Sequence, residues 1–401
     1  MREGWRRVRL GEAARLDIDR VVVRPGDTYS IAGVWNAGQG LFARPEIRGS
    51  ETTYPALHRL HAGQLVMRKL TAWEGTITTV TPEFDGYVVS PEFPTYTLEA
   101  ALDPGFMRLI CQRKDFWEGL RDASTGTVQR RKRVNPHRLL EIEIDLPPLA
   151  EQRRIVDVAA VIEASCGAAQ SALHRAQRLR TALLARHVAS PHSSRAVAVR
   201  EVCDLVTRGR APAYVEAGGE LVLSQKCVRD GAVDVSVARR TDTRTRPVAE
   251  WAWVRPGDTL VNSTGRGTVG RAGFVSGSIR ATVDSHVTIV RPDPARVVPA
   301  FLGYALFVRK DDLEACATGS TNQTELSRES VASLQVNLPA RGEQIEAVKL
   351  LSSVDAYLRS LSQVATTSGR VRERLVSELL SGAHEIPAAY DRLLGEAAWL
   401  S

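Results

Sequence analysis

A short segment of the chain carries closely spaced basic and amide side chains that suit contacts with nucleic acid. Between residues 121 and 138 there are six basic residues and one acidic residue, Asp122. Inside this segment, Gln129 directly precedes the basic run 130–133. Amide and guanidinium groups read adenine and guanine edges, and basic and hydroxyl groups hold phosphates. The spacing predicts a DNA-contacting segment, with a solvated charged surface as the alternative.

A second polar segment, residues 262–271, combines glycines with hydroxyl and guanidinium groups. Glycines let a backbone approach a ligand closely. Further along, residues 320–324 are rich in amide and hydroxyl groups but carry no basic residue. The residues predicted to contact DNA are Arg68, Lys69, Thr71, Thr127, Gln129, Arg130, Arg131, Lys132 and Arg133 in the first half of the chain, and Ser263, Thr264, Arg266, Thr268, Arg271, Asn322 and Gln323 in the second.

The chain lacks the residue patterns of several common enzyme sites. None of its six lysines follows a glycine or has an acidic residue two places earlier, which excludes a Walker A loop and the usual nuclease core. Residues 265–270 fit G-x-G-x-x-G, but the next residues are strand-like, whereas a dinucleotide site needs a helix there. Asp284 and His286 flank Ser285, yet neighbouring strand residues point to opposite faces, which disfavours a catalytic triad. We therefore predict that the chain is not an enzyme and binds no cofactor or metal itself.

The composition predicts a folded, reduced, cytoplasmic protein. Apolar residues make up 43% of the chain and charged residues 25%, as in ordinary globular proteins. The net charge of +7 is a modest excess that suits a polyanionic partner. The five cysteines are at least 24 residues apart and lack zinc spacing, which favours free thiols. Without a run of about 18 apolar residues or a signal sequence, we expect no membrane span.

The sequence repeats itself at a long period, with four segments recurring in the same order at offsets of 191 to 194 residues. The paired segments are residues 8–12 and 199–203, 62–66 and 256–261, 123–127 and 317–321, and 146–152 and 338–344. The residues between them differ strongly, so we predict two copies of one scaffold with different surfaces. In this alignment, the loop 262–270 corresponds to residues 67–75.

Each copy contains a predicted β-rich region followed by a long helix. Short runs broken by glycine and proline, such as residues 95–98 and 287–290, indicate strands. A proline-containing segment then starts a long helix of about 38 residues, or roughly 57 Å. The predicted short helices span residues 104–120 and 299–315, and the predicted long helices span 150–187 and 342–381.

Both long helices carry an apolar stripe at alternating spacings of three and four residues. The first stripe runs from Ile155 to Leu183 and includes Leu179, and the second runs from Leu351 to Leu379. This period predicts that the helices pack on each other as a coiled coil, the alternative being two separate helices on their own domains. The fold class is α+β with a pseudo-twofold repeat, and the predicted boundaries are 1–148 for the first β-rich domain, 149–190 for the first helix and linker, 191–340 for the second domain, 341–382 for the second helix and 383–401 for a tail.

Residues 146–156, with the helix that follows them to Leu184, resemble the spacer segment of type I restriction–modification specificity subunits. Residues 85–93 and 262–270 resemble the same family. The resemblance covers essentially the whole chain, in the family's order of target recognition domain, helix, target recognition domain and helix. The second copy departs from the motif, with Leu-Pro-Ala-Arg-Gly-Glu-Gln at 338–344 in place of Leu-Pro-Pro-Leu-Ala-Glu-Gln.

The resemblance implies a recognition subunit without catalysis of its own. Each domain would read one half of a split site in double-stranded DNA, and antiparallel helices would fix a gap of roughly 10 bp between half-site centres. Two methyltransferase (M) subunits would bind the chain, supply S-adenosylmethionine and receive a flipped adenine. Restriction and translocase (R) subunits, with ATP and magnesium, would join this core in a restriction system directed against phage.

Two other functions remain open at this stage. A coiled-coil scaffold that binds only proteins would leave the basic segment 121–138 and the polar glycine loops without a role. Failure to bind any duplex DNA would favour that scaffold. An enzyme with an unrecognised site would require turnover by the isolated chain.

Overall fold

The structure is a computed structural model, and it describes residues 3–125, 132–191, 194–319, 324–387 and 389–390. It confirms the predicted mixture of α and β structure with two long helices, Leu149–Leu184 and Arg341–Leu380. The chain forms two compact units. Unit 1 comprises Met1–Ala169 and Ala365–Ser401, and unit 2 comprises Gln170–Val364, so each long helix contributes one part to each unit.

The strands of unit 1 pair antiparallel in small sheets. They are β1 Arg6–Arg9, β2 Ala14–Leu16, β3 Asp19–Val22, β4 Thr28–Tyr29, β5 Ala32–Val34, β6 Leu41–Ala43, β7 Ile47–Arg48, β8 Ala56–Arg59, β9 Leu65–Met67, β10 Ile77–Thr79, β11 Val88–Val89, β12 Thr95–Leu98, β13 Ser124–Thr125, β14 Arg133–Val134 and β15 Glu143–Leu146. One sheet has the order β10-β9-β12-β2 and another the order β11-β8-β3. The pairs β1-β15, β4-β7, β5-β6 and β13-β14 complete the set among the described residues.

The helices that lie wholly in unit 1 are α1 Pro104–Ile110, α2 Lys114–Asp122 and α3 Pro136–Leu139, and α4 (Leu149–Leu184) begins there. The sequence predicts one helix over 104–120, whereas the structure has two, with a break before α2. Arg113 is extended at this break, and its Nη1 donates to the carbonyl of Leu380 at 2.9 Å. Trp117 Nε1 donates to the carbonyl of Cys111 at 2.7 Å, which satisfies a carbonyl at the end of α1.

Unit 2 has a larger sheet in the order β17-β26-β23-β24-β21-β20, a second sheet in the order β18-β22-β19-β25, and the pair β16-β27. Its strands are β16 Ser194–Ala198, β17 Cys203–Arg208, β18 Tyr214–Val215, β19 Glu220–Leu223, β20 Val228–Arg229, β21 Gly231–Val233, β22 Arg239–Thr241, β23 Thr259–Asn262, β24 Ala272–Phe274, β25 Ala281–Val283, β26 Val287–Pro292 and β27 Gln335–Pro339. Its helices are α5 Pro299–Val308, α6 Lys310–Ala315 and α7 Arg328–Ser333, and α8 (Arg341–Leu380) begins there. A π-helical turn, Ala185–Ala189, ends the first long helix.

Each unit has its own apolar core, and both long helices reach into it. In unit 1 the core contains Phe106, with Ile155 from the start of α4 and Leu379 from the end of α8. In unit 2 the core contains Phe301, with Leu184 from the end of α4 and Leu351 from the start of α8. Burying such side chains stabilises the unit by roughly 1.5–3 kcal/mol each. The helix ends are therefore integral to the domains on which they pack.

The predicted apolar stripe is correct for α8 and partly wrong for α4. On α8, every stripe position from Leu351 to Leu379 is buried or half-buried. On α4, Leu179 is 51% exposed, and Arg180 turns inward instead. The Arg180 Nε donates to Asp355 Oδ1 at 2.5 Å, and its guanidinium lies 4.7 Å from the ring centroid of Phe307. This ion pair helps to determine which side of the helix faces the core. A pattern of apolar residues alone does not reveal it.

A buried glutamine fixes the start of α4. Gln152 Nε2 donates to the carbonyls of Ala101 and Pro147, both at 2.8 Å, and its Oε1 accepts from Asp103 N at 2.8 Å. The side chain is fully buried, so these hydrogen bonds form away from water. Gln152 thereby holds the first turn of the helix to the chain entering α1.

The same arrangement recurs at the start of α8 in unit 2. Gln344 is also buried; its Nε2 donates to the carbonyl of Pro339 at 2.8 Å, and its Oε1 accepts from Val298 N at 2.9 Å. These contacts give the Glu-Gln motif of both copies a physical role. The motif survives the other differences between 146–152 and 338–344 because the glutamine forms the structural contact.

One helix, Leu149–Ala189, is long and apolar enough by composition to cross a membrane, which the sequence analysis did not anticipate. A single helix of this kind is weak support for a membrane span. Glu163 interrupts its apolar part and pairs with Arg372 in unit 1, with Nε to Oε2 at 2.5 Å.

Candidate nucleic-acid interface

In unit 1, predicted site residues lie on the loop that follows β9, which we call loop A (residues 68–75). Strand β14 returns beside this loop. Val134 N donates to Lys69 O at 3.0 Å, and Thr71 N donates to Lys132 O at 3.3 Å. The structure therefore places the end of the basic segment next to loop A, although the two are about 60 residues apart in sequence.

More basic than acidic side chains lie beside loop A, and two of the basic side chains share one carboxylate, that of Glu92. Lys69 Nζ is 3.9 Å from Glu92 Oε1, and Arg133 Nη2 is 3.4 Å from Glu92 Oε2. Lys69 N also donates to Glu92 O at 2.9 Å, which ties the loop to this acidic residue. Arg68 and Lys132 have no ion-pair partner within the described part of the chain. The cluster keeps a positive excess that suits phosphate or guanine contacts.

The backbone of loop A is held in an uncommon conformation. Thr71 has φ of 60°, in the left-handed region that non-glycine residues seldom occupy. Glu74 N donates to Thr71 O at 2.9 Å, and Thr76 Oγ1 donates to the same carbonyl at 3.4 Å. Such strain persists only where surrounding contacts enforce it, and it is common at functional sites.

In unit 2, the corresponding loop follows β23, and we call it loop B (residues 263–271). A tight turn opens the loop, with Val269 N donating to Gly265 O at 2.9 Å. Gly270 has φ of 77°, and a Cβ there would lie 2.7 Å from the carbonyl oxygen of Lys310. Only glycine fits this close approach, so the loop packs directly against the start of α6.

Two residues that the sequence analysis missed organise loop B. Gln225 Nε2 donates to Thr264 Oγ1 at 2.9 Å, and Thr268 Oγ1 donates to Gln225 Oε1 at 3.0 Å. His286 Nδ1 lies 2.9 Å from Thr264 Oγ1. The amide in the Ser224-Gln225-Lys226 stretch was the available sequence signal, but nothing in the sequence placed it beside a loop 39 residues away.

Ser263, at the first position of loop B, points into the domain. Its side chain is fully buried, and its Oγ lies 2.6 Å from Thr288 Oγ1. Its carbonyl accepts from Leu326 N at 2.7 Å. Arg266 is exposed and Arg271 half-buried, and neither forms an ion pair with a described residue. The two arginines are therefore the cations of loop B that can reach a ligand.

An equivalent antiparallel β-bridge ties each loop to a later segment of its unit, but the charges of the bridged residues differ. Leu70 bridges Arg133 in unit 1, and Thr264 bridges Glu325 in unit 2. The second unit thus carries an acid, paired with Arg208, where the first carries an arginine. Loops on a common frame with different side chains suit recognition of different sequences.

Six predicted contact residues fall outside the described residues: Thr127, Gln129, Arg130, Arg131, Asn322 and Gln323. The described segments that flank them are adjacent to loops A and B. In unit 1 these flanks pair as β13-β14, and in unit 2 Thr318 bridges Glu325.

Unit 2 has a further basic strand that the sequence analysis did not select. Arg239 on β22 lies 3.4 Å from the ring centroid of Tyr214, whose hydroxyl is 3.4 Å from Asp284 Oδ2. Burial raises the pKa of the Asp284 carboxyl above its usual range. Through Tyr214, this strand is linked to Asp284, which is two residues from His286. The run Arg239-Arg240-Thr241-Asp242-Thr243-Arg244-Thr245-Arg246 was a usable sequence signal.

Asp284 and His286 form hydrogen bonds that hold the local backbone and loop B. Asp284 Oδ1 accepts from His286 N at 2.9 Å, while the His286 ring contacts Thr264. No serine hydroxyl bonds to this histidine among the described residues. Within the same part of the chain, no group of three or more His, Cys, Asp or Glu side chains could hold a metal ion.

No family model and no curated protein matches the chain. Solved structures, by contrast, match it over almost its whole length. The HsdS subunit from Thermoanaerobacter tengcongensis is 21% identical, with a TM-score of 0.50, over 95% of this chain and 97% of that one. The type I restriction–modification S subunit from M. genitalium is 15% identical, with a TM-score of 0.59, over 94% and 96%.

A third match comes from structural work on complex assembly and conformational transition of a type I restriction–modification system. It is 18% identical, with a TM-score of 0.58, over 94% of this chain and 98% of that one. At such identities the likeness establishes the fold. The chain therefore has the fold of type I restriction–modification S subunits along essentially all of its length.

Proposed function

We propose that this chain is the DNA sequence-specificity subunit of a type I restriction–modification complex. Unit 1 reads one half of a bipartite site through loop A and the adjoining basic segment, and unit 2 reads the other half through loop B. The main support is the pair of loops held by matching backbone hydrogen bonds but carrying different charges. The likeness of the whole fold to S subunits supports the same assignment.

The two long helices act as the spacer between the half-sites in this proposal. Contacts inside each unit favour antiparallel pairing as a coiled coil. In unit 1, Glu163 in the first half of α4 pairs with Arg372 in the second half of α8. In unit 2, Arg180 near the end of α4 pairs with Asp355 near the start of α8. Pairing in opposite directions also fits a pseudo-twofold relation between two copies of one scaffold.

The chain itself performs no catalysis in this proposal. Two methyltransferase subunits bring S-adenosylmethionine, and restriction and translocase subunits bring ATP and magnesium. A complex of this kind acts on double-stranded DNA in the cytoplasm. The chain contributes the choice of sequence and the surface on which these subunits assemble.

A heptad-spaced set of exposed apolar residues on α8 is the expected contact for a methyltransferase subunit. Leu350, Tyr357 and Val364 follow each other at seven-residue spacing and are 41%, 56% and 48% exposed. Side chains seven apart share one face of a helix. A row of large apolar side chains in water typically marks a protein interface.

We expect Tyr357→Glu to weaken binding of the methyltransferase subunit by about tenfold or more, because a charge would enter an apolar contact. Ser362→Glu, at an exposed position about 140° around the helix, is the matched control. Titration of the full chain with the isolated methyltransferase subunit measures both affinities. Equal affinities for Tyr357→Glu and Ser362→Glu would contradict this docking surface.

Bipartite reading is tested by substituting one arginine in each unit. We expect Arg68→Ala to change the preference in one half-site and Arg266→Ala to change it in the other. Loss of a base contact costs about 1–3 kcal/mol at one position, whereas loss of a phosphate contact weakens binding uniformly and lowers the salt dependence. Selection of bound duplexes from a random library by the complex, with Arg178→Ala on α4 as control, measures these changes.

If either single substitution changed the sequence preference in both half-sites, the assignment of one half-site to each unit would be contradicted. The coiled-coil scaffold is the second candidate, favoured by the apolar row on α8. It predicts that the chain binds the methyltransferase subunit but enriches no duplex sequence at all.

A further inference from the structure

A β-hairpin in unit 1 lies against loop A and carries exposed groups that the proposed site does not yet include. The hairpin is β5-β6, with residues 35–40 at its tip, which we call the hairpin tip. Ala37 N donates to Glu74 O and Gly38 N donates to Gly75 O, both at 2.8 Å. Asn36 Nδ2 donates to Glu74 Oε2 at 3.2 Å. Three hydrogen bonds thus fix the hairpin tip to loop A.

Trp35, on the hairpin tip, is 51% exposed although it is one of the largest apolar side chains in the unit. Its ring packs on Phe42 with centroids 4.3 Å apart and an interplanar angle of 33°. Phe42 in turn lies over Gly33, where a Cβ would come within 2.4 Å of Phe42 Cζ. The glycine makes room for Phe42, and Phe42 holds Trp35 in a defined position with one face open.

The hairpin tip and loop A each contain a non-glycine residue with a strained backbone conformation. Among the described residues, Ala37, Thr71 and Asp230 are the non-glycine residues with φ in the left-handed region. Two of the three lie in these adjoining segments of unit 1. Conformations that cost of order 1–3 kcal/mol each are retained where a precise geometry is needed.

The exposed polar side chains of the hairpin tip are of types that bind DNA. Gln39 is exposed, and its side-chain amide forms no hydrogen bond among the described residues, so this amide is available to a base edge. Asn36 is exposed as well, with its Nδ2 held by Glu74. Four cations, Arg68, Lys69, Lys132 and Arg133, outnumber the two carboxylates of Glu74 and Glu92 in this region. The surroundings retain a positive excess.

We propose that the hairpin tip is a second DNA-contacting element of unit 1, extending the half-site that loop A reads. Trp35 packs its open face against a deoxyribose or a thymine methyl group, and Gln39 hydrogen-bonds to a base edge. DNA is favoured over a protein partner because the hairpin tip exposes the Gln39 amide and is hydrogen-bonded to the loop that carries Arg68 and Lys69. This inference rests on the proposed function, since it assigns further contacts to the same half-site.

Photo-crosslinking of the full chain to random-sequence duplexes that contain 5-iodouracil tests the proposal directly. Irradiation links this base to aromatic side chains that contact it, and mass spectrometry locates the linked peptide. We expect crosslinks on the peptide that contains Trp35, and their loss in Trp35→Ala. In equilibrium titration we expect Trp35→Ala to lower affinity about five- to 100-fold, with Trp35→Phe retaining most of it.

Tyr54→Ala is the matched control, because Tyr54 is also an exposed aromatic residue of unit 1 and contacts neither the hairpin tip nor loop A in the described hydrogen bonds and ring pairs. Gln39→Ala should relax the preference at one base pair of the selected half-site while leaving the other half-site unchanged. Circular dichroism of each variant establishes that it is folded. If Trp35→Ala does not fold, Gln39→Ala and the crosslink map of the wild-type chain still test the proposal.

Crosslinks to other peptides of unit 1, with none on the hairpin tip and unchanged affinity in Trp35→Ala and Gln39→Ala, would overturn the inference and leave the proposed function intact. Retained DNA affinity with lost binding of the methyltransferase subunit would also overturn it, making Trp35 a protein contact. If the wild-type chain gave no DNA crosslink anywhere and bound no duplex, the proposed function would fail together with this inference.

Discussion

Arg291→Thr is expected to lower the free energy of unfolding of unit 2 by about 3–5 kcal/mol, because it leaves a carboxylate buried without its partner. Asp258 is 1% exposed and Arg291 is 11% exposed. Arg291 Nε and Nη2 donate to the two carboxylate oxygens at 2.9 and 2.8 Å, and Nη2 also donates to Trp253 O at 2.8 Å. The substitution removes both charge compensation and hydrogen bonds.

The first unit shows how the same position can be filled without charge. Gln64 and Thr97 occupy the corresponding places, with Gln64 Nε2 donating to Thr97 Oγ1 at 3.4 Å. His61 N donates to Gln64 Oε1 at 3.2 Å, just as Arg255 N donates to Asp258 Oδ2 at 2.8 Å. A glutamine can therefore keep the turn while removing the charge.

We accordingly expect the double variant Asp258→Gln/Arg291→Thr to be more stable than Arg291→Thr alone. Removing both charges avoids the uncompensated carboxylate, although the fit of the new pair is not optimised. Denaturant unfolding of the full chain, followed by hydrogen exchange in β23 and β26, measures the difference for unit 2. Equal stability of the single and double variants would contradict a charge-desolvation origin of the loss.

Gln152→Ala is expected to destabilise unit 1 by about 3 kcal/mol or more. The substitution removes three hydrogen bonds from a fully buried side chain, and the buried carbonyl of Pro147 loses this donor; an unpaired buried group costs about 1–3 kcal/mol, and each further lost hydrogen bond about 1 kcal/mol. The amide of Asp103 should exchange faster, since it loses the acceptor Gln152 Oε1.

Gln170→Ala, at an exposed position of α4, is the matched control and should change stability by less than about 0.5 kcal/mol. Hydrogen exchange resolved by segment separates the response of unit 1 from that of unit 2. Unfolding of Gln152→Ala at the same denaturant concentration as Gln170→Ala would show that the buried glutamine is not a stabilising contact.

Short sequence signals correctly predicted the starts of the two long helices and one strand, because these features depend on neighbouring residues. The predicted helix starts at 150 and 342 lie one residue from the observed starts, Leu149 and Arg341. Proline ends the preceding strand, and a glutamate in the first turn complements the helix dipole. The strand predicted at 95–98 is observed without change as Thr95–Leu98. These features depend on residues within a few positions of each other.

Long-range pairing could not be predicted from the same signals. Apolar periodicity assigned Leu179 to the interior because it does not register the inward ion pair of Arg180 with Asp355, 175 residues away. Similarly, Ser263 looked like an accessible polar residue, but its hydroxyl is buried against Thr288 on a neighbouring strand. Strand register determines whether a side chain at a candidate site points into the domain or toward solvent. Composition does not reveal this register.

The sequence analysis did not select Trp35. Neighbouring residues alone do not distinguish an exposed tryptophan from a buried one. The exposure of Trp35 results from a specific stack on Phe42 that requires Gly33 across the hairpin. The adjacency of this hairpin to loop A follows from hydrogen bonds between segments some 40 residues apart, beyond any local motif.

In the proposed function, one chain selects a bipartite DNA sequence for a methyltransferase. The methylation pattern of DNA from cells that carry this chain, with and without its methyltransferase partner, tests this selection. We expect a split motif, methylated only when both proteins are present, with one half changed by substitutions in unit 1 and the other by substitutions in unit 2. Absence of new methylation, although the partner is folded and bound to this chain, would refute the proposed function and favour the protein scaffold.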